Sequence, residues 1–390
     1  MIRRLVVFLI LPLVLAAGLA WYFSGRAPRP LRASLVAAAA PGDAAGFARA
    51  DGPRPMVFPQ DHGPHADFRT EWWYYTGNLT GSTGERFGYQ LTFFRRALLP
   101  PGQRATRPSD WAANQVYMAH FALTDVAGGK HVSFEKLGRG AAGLAGAQAV
   151  PYRVWLDNWS VEEVSGGSAA SPARLRASAE DISLDVTLRD LKGPVMQGDH
   201  GYSRKGSEPG NASYYYSLPR IGTTGTVTVG GKTFDVDGLS WMDHEFSTSA
   251  LGADQAGWDW FSLQLNDGSE LMVFQLRRSD GSMDRFSSGT LIAPDGATRT
   301  LGPGDFALQP TVRWRSPRSG ATYPAGWVLT VPAADLRLTI TPLLADQEMN
   351  VSSAYWEGAV KAGGTMAGKP VSGNGYVELT GYAGSMQGQF

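Results

Sequence analysis

Phe68-Arg69-Thr70-Glu71-Trp72-Trp73-Tyr74-Tyr75-Thr76-Gly77-Asn78 sets four aromatics in a row behind a carboxylate and stops at a glycine. Aromatic side chains favour pleated, half-buried backbone, so the stretch predicts a β-strand. Side chains alternate faces along a strand. Glu71, Trp73 and Tyr75 then share one face, and Trp72, Tyr74 and Thr76 share the other. Neither face is the polar row of a solvated sheet. The expectation is packed core on one side and a large, partly polar cavity on the other, with Trp73 and Tyr75 among the ligand-binding residues. A plain buried strand of amphipathic aromatics fits the same pattern.

The surrounding composition agrees with many such strands. Glycines number 48 and prolines 24, scattered without a period, as short strands joined by turns require. Ile182, Leu184, Val186 and Leu188 alternate with polar residues, and so do Leu336, Leu338 and Ile340. Turn pairs recur between the apolar runs at Gly128-Gly129, Gly230-Gly231, Asp267-Gly268, Asp280-Gly281 and Asp295-Gly296. About 18 strand-like segments result, enough for an all-β pair of sandwiches or barrels. Twelve tryptophans suit a protein that surrounds an apolar ligand, and equally suit well-filled β cores.

Charge is balanced, with 35 basic and 35 acidic residues, so no nucleic-acid partner is expected. Cysteine is absent, which excludes disulfides, thiolate catalysis, cysteine-based zinc sites and lipidation at an N-terminal Cys. Arg3 and Arg4 precede an apolar run from Leu5 to Phe23. Residues 1–23 therefore read as a signal peptide or an uncleaved signal anchor. Both outcomes predict a periplasmic or secreted protein, the second one tethered to the inner membrane through this segment. Residues 24–55, rich in Ala, Pro, Gly and Arg, read as a low-complexity linker.

The opening stretch has an echo. Glu71-Trp72-Trp73-Tyr74 leads through a turn into Tyr89-Gln90-Leu91-Thr92-Phe93-Phe94-Arg95-Arg96, and Trp258-Asp259-Trp260-Phe261 leads into Leu271-Met272-Val273-Phe274-Gln275-Leu276-Arg277-Arg278. Each is a Trp-rich strand, a turn and an apolar strand ending in two arginines, which suggests a duplicated unit. It divides the ordered part into domains at 56–246 and 247–390.

Several motifs are set aside. No GxSxG is present, against a nucleophile-elbow serine hydrolase. Gly138 to Gly143 matches GxGxxG but lacks the strand–helix context of a dinucleotide site. His62 and His65 are spaced HxxH on a loop containing Gly63 and Pro64, so no metal site and no cofactor is expected. The strongest polar constellation is Asp243-His244-Glu245, flanked by Trp241 and Phe246. Ionisable groups among aromatics are expensive to bury unless paired. Such a segment is either a structural network at a domain junction or a carboxylic acid held protonated in an apolar pocket as a general acid. Glu71 is its natural companion, with His120 and His200 as further ones. Asp243, His244 and Glu71 are the catalytic candidates.

With these residues in view, the chain resembles the AttH and carotenoid 1,2-hydratase family, a lipocalin-like group. The resemblance rests on Asp61-His62-Gly63, Asp67 to Tyr74, Trp241 to Phe246, Trp258-Asp259-Trp260, Tyr355-Trp356-Glu357-Gly358 and Gly375 to Tyr382. It implies two tandem lipocalin-like (calycin) antiparallel β-barrels. It also implies either a cofactor-independent hydratase or lyase acting on a polyene, isoprenoid or lipid-like substrate, or a non-catalytic lipophile carrier serving ABC transporter components. Hydration needs an acid, aromatic faces for a cationic carbon, and a held water. Asp243, His244, Trp258 and Trp260 are matched to those parts, with Trp241, Glu245, His120, His200 and Gln275 as ligand contacts. The hydratase pattern departs here: Phe246 and Gln275 stand where it has Trp and an acidic residue, which places the chain nearer the AttH branch.

Overall fold

Alternation decides the architecture. In the computed structural model, which describes residues 44–104, 112–164, 172–248, 251–252 and 254–386, the opening stretch forms β1 (Thr70–Gly81), hairpinned to β2 (Arg86–Ala97). The long hairpin β3 (Ala212–Val229) and β4 (Lys232–Ser247) returns to it, so that β4 lies along the other edge of β1. The sheet runs from Lys130–Arg139 through Gln115–Asp125, β2, β1, β4, β3, Ile182–Asp190, Ala173–Ala179, Trp159–Glu163 and Arg153–Leu156 to Ala145–Gln148. It curls into a nearly closed barrel. Gly138 helps the two ends approach, since a Cβ there would stand 2.5 Å from Leu156.

The second sheet repeats the plan. β5 (Gln255–Leu265) is hairpinned to β6 (Glu270–Arg278) through Gly268, whose φ of 86° only glycine adopts without strain. The final hairpin, β7 (Ala354–Met366) and β8 (Lys369–Leu379), brings β8 against the free edge of β5. The ends of this sheet, Thr298–Leu301 and Ala307–Pro310, are separated in sequence only by residues 302–306, which makes the sheet wrap round. Thus β1 to β4 and β5 to β8 occupy the same relative positions in the two sheets.

Three apolar clusters follow from the alternation. Trp73, Tyr75, Leu91, Phe93 and Met242 point into the first barrel. Phe261, Leu263, Val273, Trp327 and Trp356 fill the second. The opposite faces of the same strands meet one another: Tyr74, Tyr215 and Trp241 pack on Trp260, Phe274 and Tyr376, with Trp72 and Trp258 at the margin. Polar ties cross this seam. Gln264 donates from Nε2 to the Pro219 and Ser240 carbonyls at 2.7 and 2.9 Å, and Asn78 donates from Nδ2 to the Gly375 carbonyl at 2.9 Å.

The predicted strands at Ile182–Asp190 and Leu336–Pro342 are present, with the named apolar residues buried. Among the described residues there are 25 strands rather than about 18, the difference coming from pieces of two to four residues too short to show a period. Order also begins before Met56. Ala50 is buried, the Ala48 amide donates to the Asp67 carbonyl at 3.0 Å, and the Tyr214 hydroxyl donates to the Gly52 carbonyl at 2.9 Å. Small residues let this segment lie flat, so its linker-like composition misleads. The N-terminal apolar run and residues 24–43 lie outside the described residues; among the described residues no helix is long and apolar enough to cross a membrane.

Candidate functional site

The seam between the sheets holds a cavity of about 130 Å³. Its walls are the outward faces of the eight strands: Trp72 and Tyr74 from β1, Tyr215 from β3, Trp258 and Trp260 from β5, Phe274 from β6 and Tyr355 from β7. Four carboxyl side chains, Asp243, Glu245, Glu357 and Glu378, open into this aromatic lining beside a single lysine, Lys205. The lysine ammonium lies 3.1 Å from Glu245 and so answers only one of them.

Strand pairing places two of the acids at matching positions. Tyr74 of β1 stands opposite Asp243 of β4, and Trp260 of β5 stands opposite Glu378 of β8. Asp243 accepts three hydrogen bonds: from Tyr215 Oη at 2.6 Å, Ser217 Oγ at 2.5 Å and Trp241 Nε1 at 2.7 Å. Burial pushes its carboxyl up to about 7 in spite of these donors. Trp260 Nε1 donates to Tyr215 Oη at 3.1 Å, so the acid of the first sheet is linked to the aromatic of the second. Burial likewise pushes Glu378 up to about 7, although Trp258 Nε1 donates to its Oε2 at 2.7 Å. Glu357 accepts from the Tyr74 hydroxyl across the seam. Burial, followed by the charge of Glu378, holds the Glu357 carboxyl far above the usual carboxylate range.

Glu71 and His244 lie on the other face of the same strands. His244 Nε2 donates to Glu71 Oε1 at 2.9 Å, inside the mouth of the first barrel. His65 donates from Nδ1 to Glu71 Oε1 at 2.7 Å and from Nε2 to Asp61 Oδ1 at 2.8 Å. Arg95 closes the group, its Nε donating to Glu71 Oε2 at 2.7 Å and its Nη2 to the His65 and Phe68 carbonyls. Burial pushes Glu71 up, but Arg95 and the two rings outweigh it and hold the carboxyl well below its usual range. Burial opposes charge on His65 too, yet Asp61 and Glu71 win and raise its pKa, so this ring is the imidazolium of the cluster. Phe246 lies flat on it, with ring centroids 3.5 Å apart.

His244 is lowered by burial and remains neutral. One proton assignment satisfies its neighbours: His62 Nδ1 donates to Tyr216 Oη (2.7 Å), and Tyr216 donates to His244 Nδ1 (3.1 Å). His65, Glu71 and His244 offer ligand atoms within 4.8 Å of one another, a separation a metal ion could share. Both oxygens of Glu71 are already hydrogen-bonded, however, and the Arg95 guanidinium stands where it would repel a second cation. The donor set fits a proton network rather than a metal centre.

Burial lowers His62 from 6.5 to about 4. The unfolded chain takes up this proton as pH falls below 6.5, whereas the folded chain does not until about 4. Stability from this group therefore falls with pH across that window, by roughly 3 kcal/mol in all. Melting temperatures measured between pH 7 and 4.5 should drop more steeply for the wild type than for His62→Gln; equal slopes would assign the acid sensitivity elsewhere.

Strand alternation thus divides the sequence-derived candidates. Asp243, Glu245, Trp258 and Trp260 line the seam cavity, with Trp241 directly behind Asp243. Glu71 and His244 meet each other on the barrel face, where Trp73 and Tyr75 are buried and Trp73 stacks on His244 at 4.8 Å. His120 stands behind the cavity wall, its Nδ1 2.7 Å from Tyr355 Oη. Gln275 is opposite Asp259 and shares the barrel side with Val273, since Phe274 and Leu276 face the cavity. His200 is on an exposed turn remote from these groups, beside Pro53 and Met56. Sequence reasoning passed over Glu357 and Glu378 as site residues. Each is a single carboxylate in an apolar strand, Tyr355-Trp356-Glu357-Gly358 and Tyr376-Val377-Glu378-Leu379, without the adjacent ionisable residues that marked Asp243.

The profile of the AttH-like family matches residues 49–382. Among solved structures, a protein described as AttH from Nitrosomonas europaea is 37% identical; the match covers 86% of this chain and 100% of that one, with a TM-score of 0.76. Kievitone hydratase from Nectria haematococca, 17% identical, is matched over 87% of this chain and 98% of its own, with a TM-score of 0.64, and shares the fold. No curated protein matches the chain.

Proposed function

Because this chain belongs to the AttH-like family, we propose that it binds an apolar, unsaturated small molecule between its two sheets and adds or removes water there by acid–base catalysis. The observation that carries this reading is the chemistry of the seam cavity: carboxyl groups brought close to neutrality by burial, set among aromatic faces. Protonating an alkene needs a carboxylic acid that keeps its proton near pH 7. The cationic carbon that results is stabilised by the faces of Trp72, Trp258 and Trp260. The three donors around Asp243 suit it to the carboxylate form, which attracts that positive charge. Glu71 and His244, on the far face of β1 and β4, hold the wall rather than touch the ligand. The apolar run from Leu5 to Phe23 behind Arg3 and Arg4 supports placing this activity outside the cytoplasm.

The test is oxygen exchange. The protein would be incubated with a panel of isoprenoid polyenes in ¹⁸O-labelled water and the products read by mass spectrometry. Label is expected in an alcohol product with the wild type, and about 10²-fold more slowly with Asp243→Asn. Stoichiometric retention of a polyene with no label in any product would favour a carrier, including one that hands its cargo to an ABC transporter. Unchanged rates in Asp243→Asn would remove Asp243 from the reaction.

A further inference from the structure

Glu357 and Glu378 are direct cross-strand neighbours on β7 and β8, and both open into the seam cavity. Like charges directly opposite on a sheet are destabilising even where water screens them. Here Glu357 is fully buried, and the lysine of the cavity is already paired with Glu245. The other charged and titratable groups of the cavity give no relief. Asp243 and Glu245 of β4 are acidic, and Tyr74 of β1, Tyr215 of β3 and Tyr355 of β7 are neutral phenols. Two carboxylates cannot both be ionised in this position, so the pair holds a proton.

The hydrogen bonds decide which member holds it. Glu378 accepts from Trp258 Nε1, a donor that favours its anion. Among the described residues Glu357 accepts from Tyr74 at Oε1 only; its Oε2 is buried and has no hydrogen-bond partner there. An unpartnered carboxylate oxygen is costly to bury, whereas a carboxylic acid O–H at that atom carries no charge.

Resting on the hydration reading above, we propose that Glu357 and Glu378 share one proton, kept on Glu357 Oε2, and that Glu357 is the group that protonates the bound alkene. In the forward direction the Glu357 O–H bond breaks as a C–H bond forms on the alkene. Water adds to the cationic carbon and gives its proton to the Glu378 carboxylate, from which the opposite Glu357 is reprotonated. Alkene and water become alcohol, and the dyad returns to its starting state. Dehydration is the same path reversed.

Infrared spectroscopy of the full chain reads the proton directly, without a ligand. The wild type should show the carbonyl band of a protonated carboxylic acid that persists above pH 7 and is absent in Glu357→Gln, an isosteric change that keeps an acceptor for Tyr74. In Glu378→Gln the neighbouring charge is gone, so the band should remain but titrate away at lower pH. Glu357→Gln should bind retinol as the wild type does, read by quenching of tryptophan fluorescence, yet incorporate ¹⁸O at least about 10²-fold more slowly. No such band in the wild type, or one that survives in Glu357→Gln, overturns the shared proton. Wild-type turnover in Glu357→Gln overturns its role as donor. If the band behaves as expected but the wild type labels no polyene, the donor role falls together with the hydration reading, and the shared proton alone stands.

Discussion

Replacing Arg95 by Met is expected to remove about 3–5 kcal/mol of stability, the loss typical of stranding one member of a buried ion pair. Neither side chain of the Arg95–Glu71 pair reaches solvent, and their contact is 2.7 Å. Without the guanidinium, Glu71 keeps two imidazole donors but faces the whole desolvation penalty of a buried anion. The His65 and Phe68 carbonyls, which Arg95 also bridges, lose a donor at the entrance to β1. Urea denaturation would measure the loss. The double variant Arg95→Met/Glu71→Gln should recover a large part of it, because a neutral amide needs no countercharge. If the double variant is as unstable as the sum of the two single changes, charge pairing is not what holds this corner together.

Glu270→Ala should produce the other large effect, and at a different place. Glu270 opens β6 and is fully buried. Lys192 Nζ donates to its Oε2 at 2.6 Å, and Arg220 of β3 donates from Nε to its Oε1. The same two cations reach the carbonyls of Leu265, Gly268 and Ala293, so basic groups of the first sheet plug the β5–β6 turn of the second. Removing the carboxylate leaves two nearly buried positive charges side by side. We expect a loss near the lower end of about 3–5 kcal/mol, since carbonyl contacts and partial exposure soften it. Hydrogen exchange should show the released protection concentrated along this seam, in β3, β5 and β6. Protection lost evenly over both barrels would mean that Glu270 supports the fold generally rather than the contact between the sheets.

How far the fold could be read from the residues is visible in single elements. Ile182 to Leu188 declares its strand and its buried face, because a two-residue period has no other reading. The two Trp-rich hairpins declare a repeated unit, and the structure places β1 with β2 and β5 with β6 in corresponding positions. The short strands and the packing of Ala50 were not legible, since neither leaves a periodic trace.

The candidate site was legible in part, for a related reason. Three adjacent ionisable residues in an aromatic run mark Asp243, His244 and Glu245 as unusual, but adjacency along a strand means opposite faces. That rule splits Asp243 from His244, and only the pairing of β4 with β1 shows that one faces a seam and the other a barrel. Glu357 and Glu378 are 21 positions apart in a chain with 35 acidic residues, and nothing local distinguishes them.

By itself, then, the amino-acid order determined an all-β chain, its duplicated hairpins, the faces of FRTEWWYYTGN and a family resemblance, because periodicity and turn chemistry are local properties. The tertiary structure decided which of those faces meet. Burial of a carboxyl, the charge opposite it and the donor beside it are set by contacts between distant strands, and those contacts put the acids of β4, β7 and β8 into one aromatic cavity while turning Glu71 to the other side of the wall.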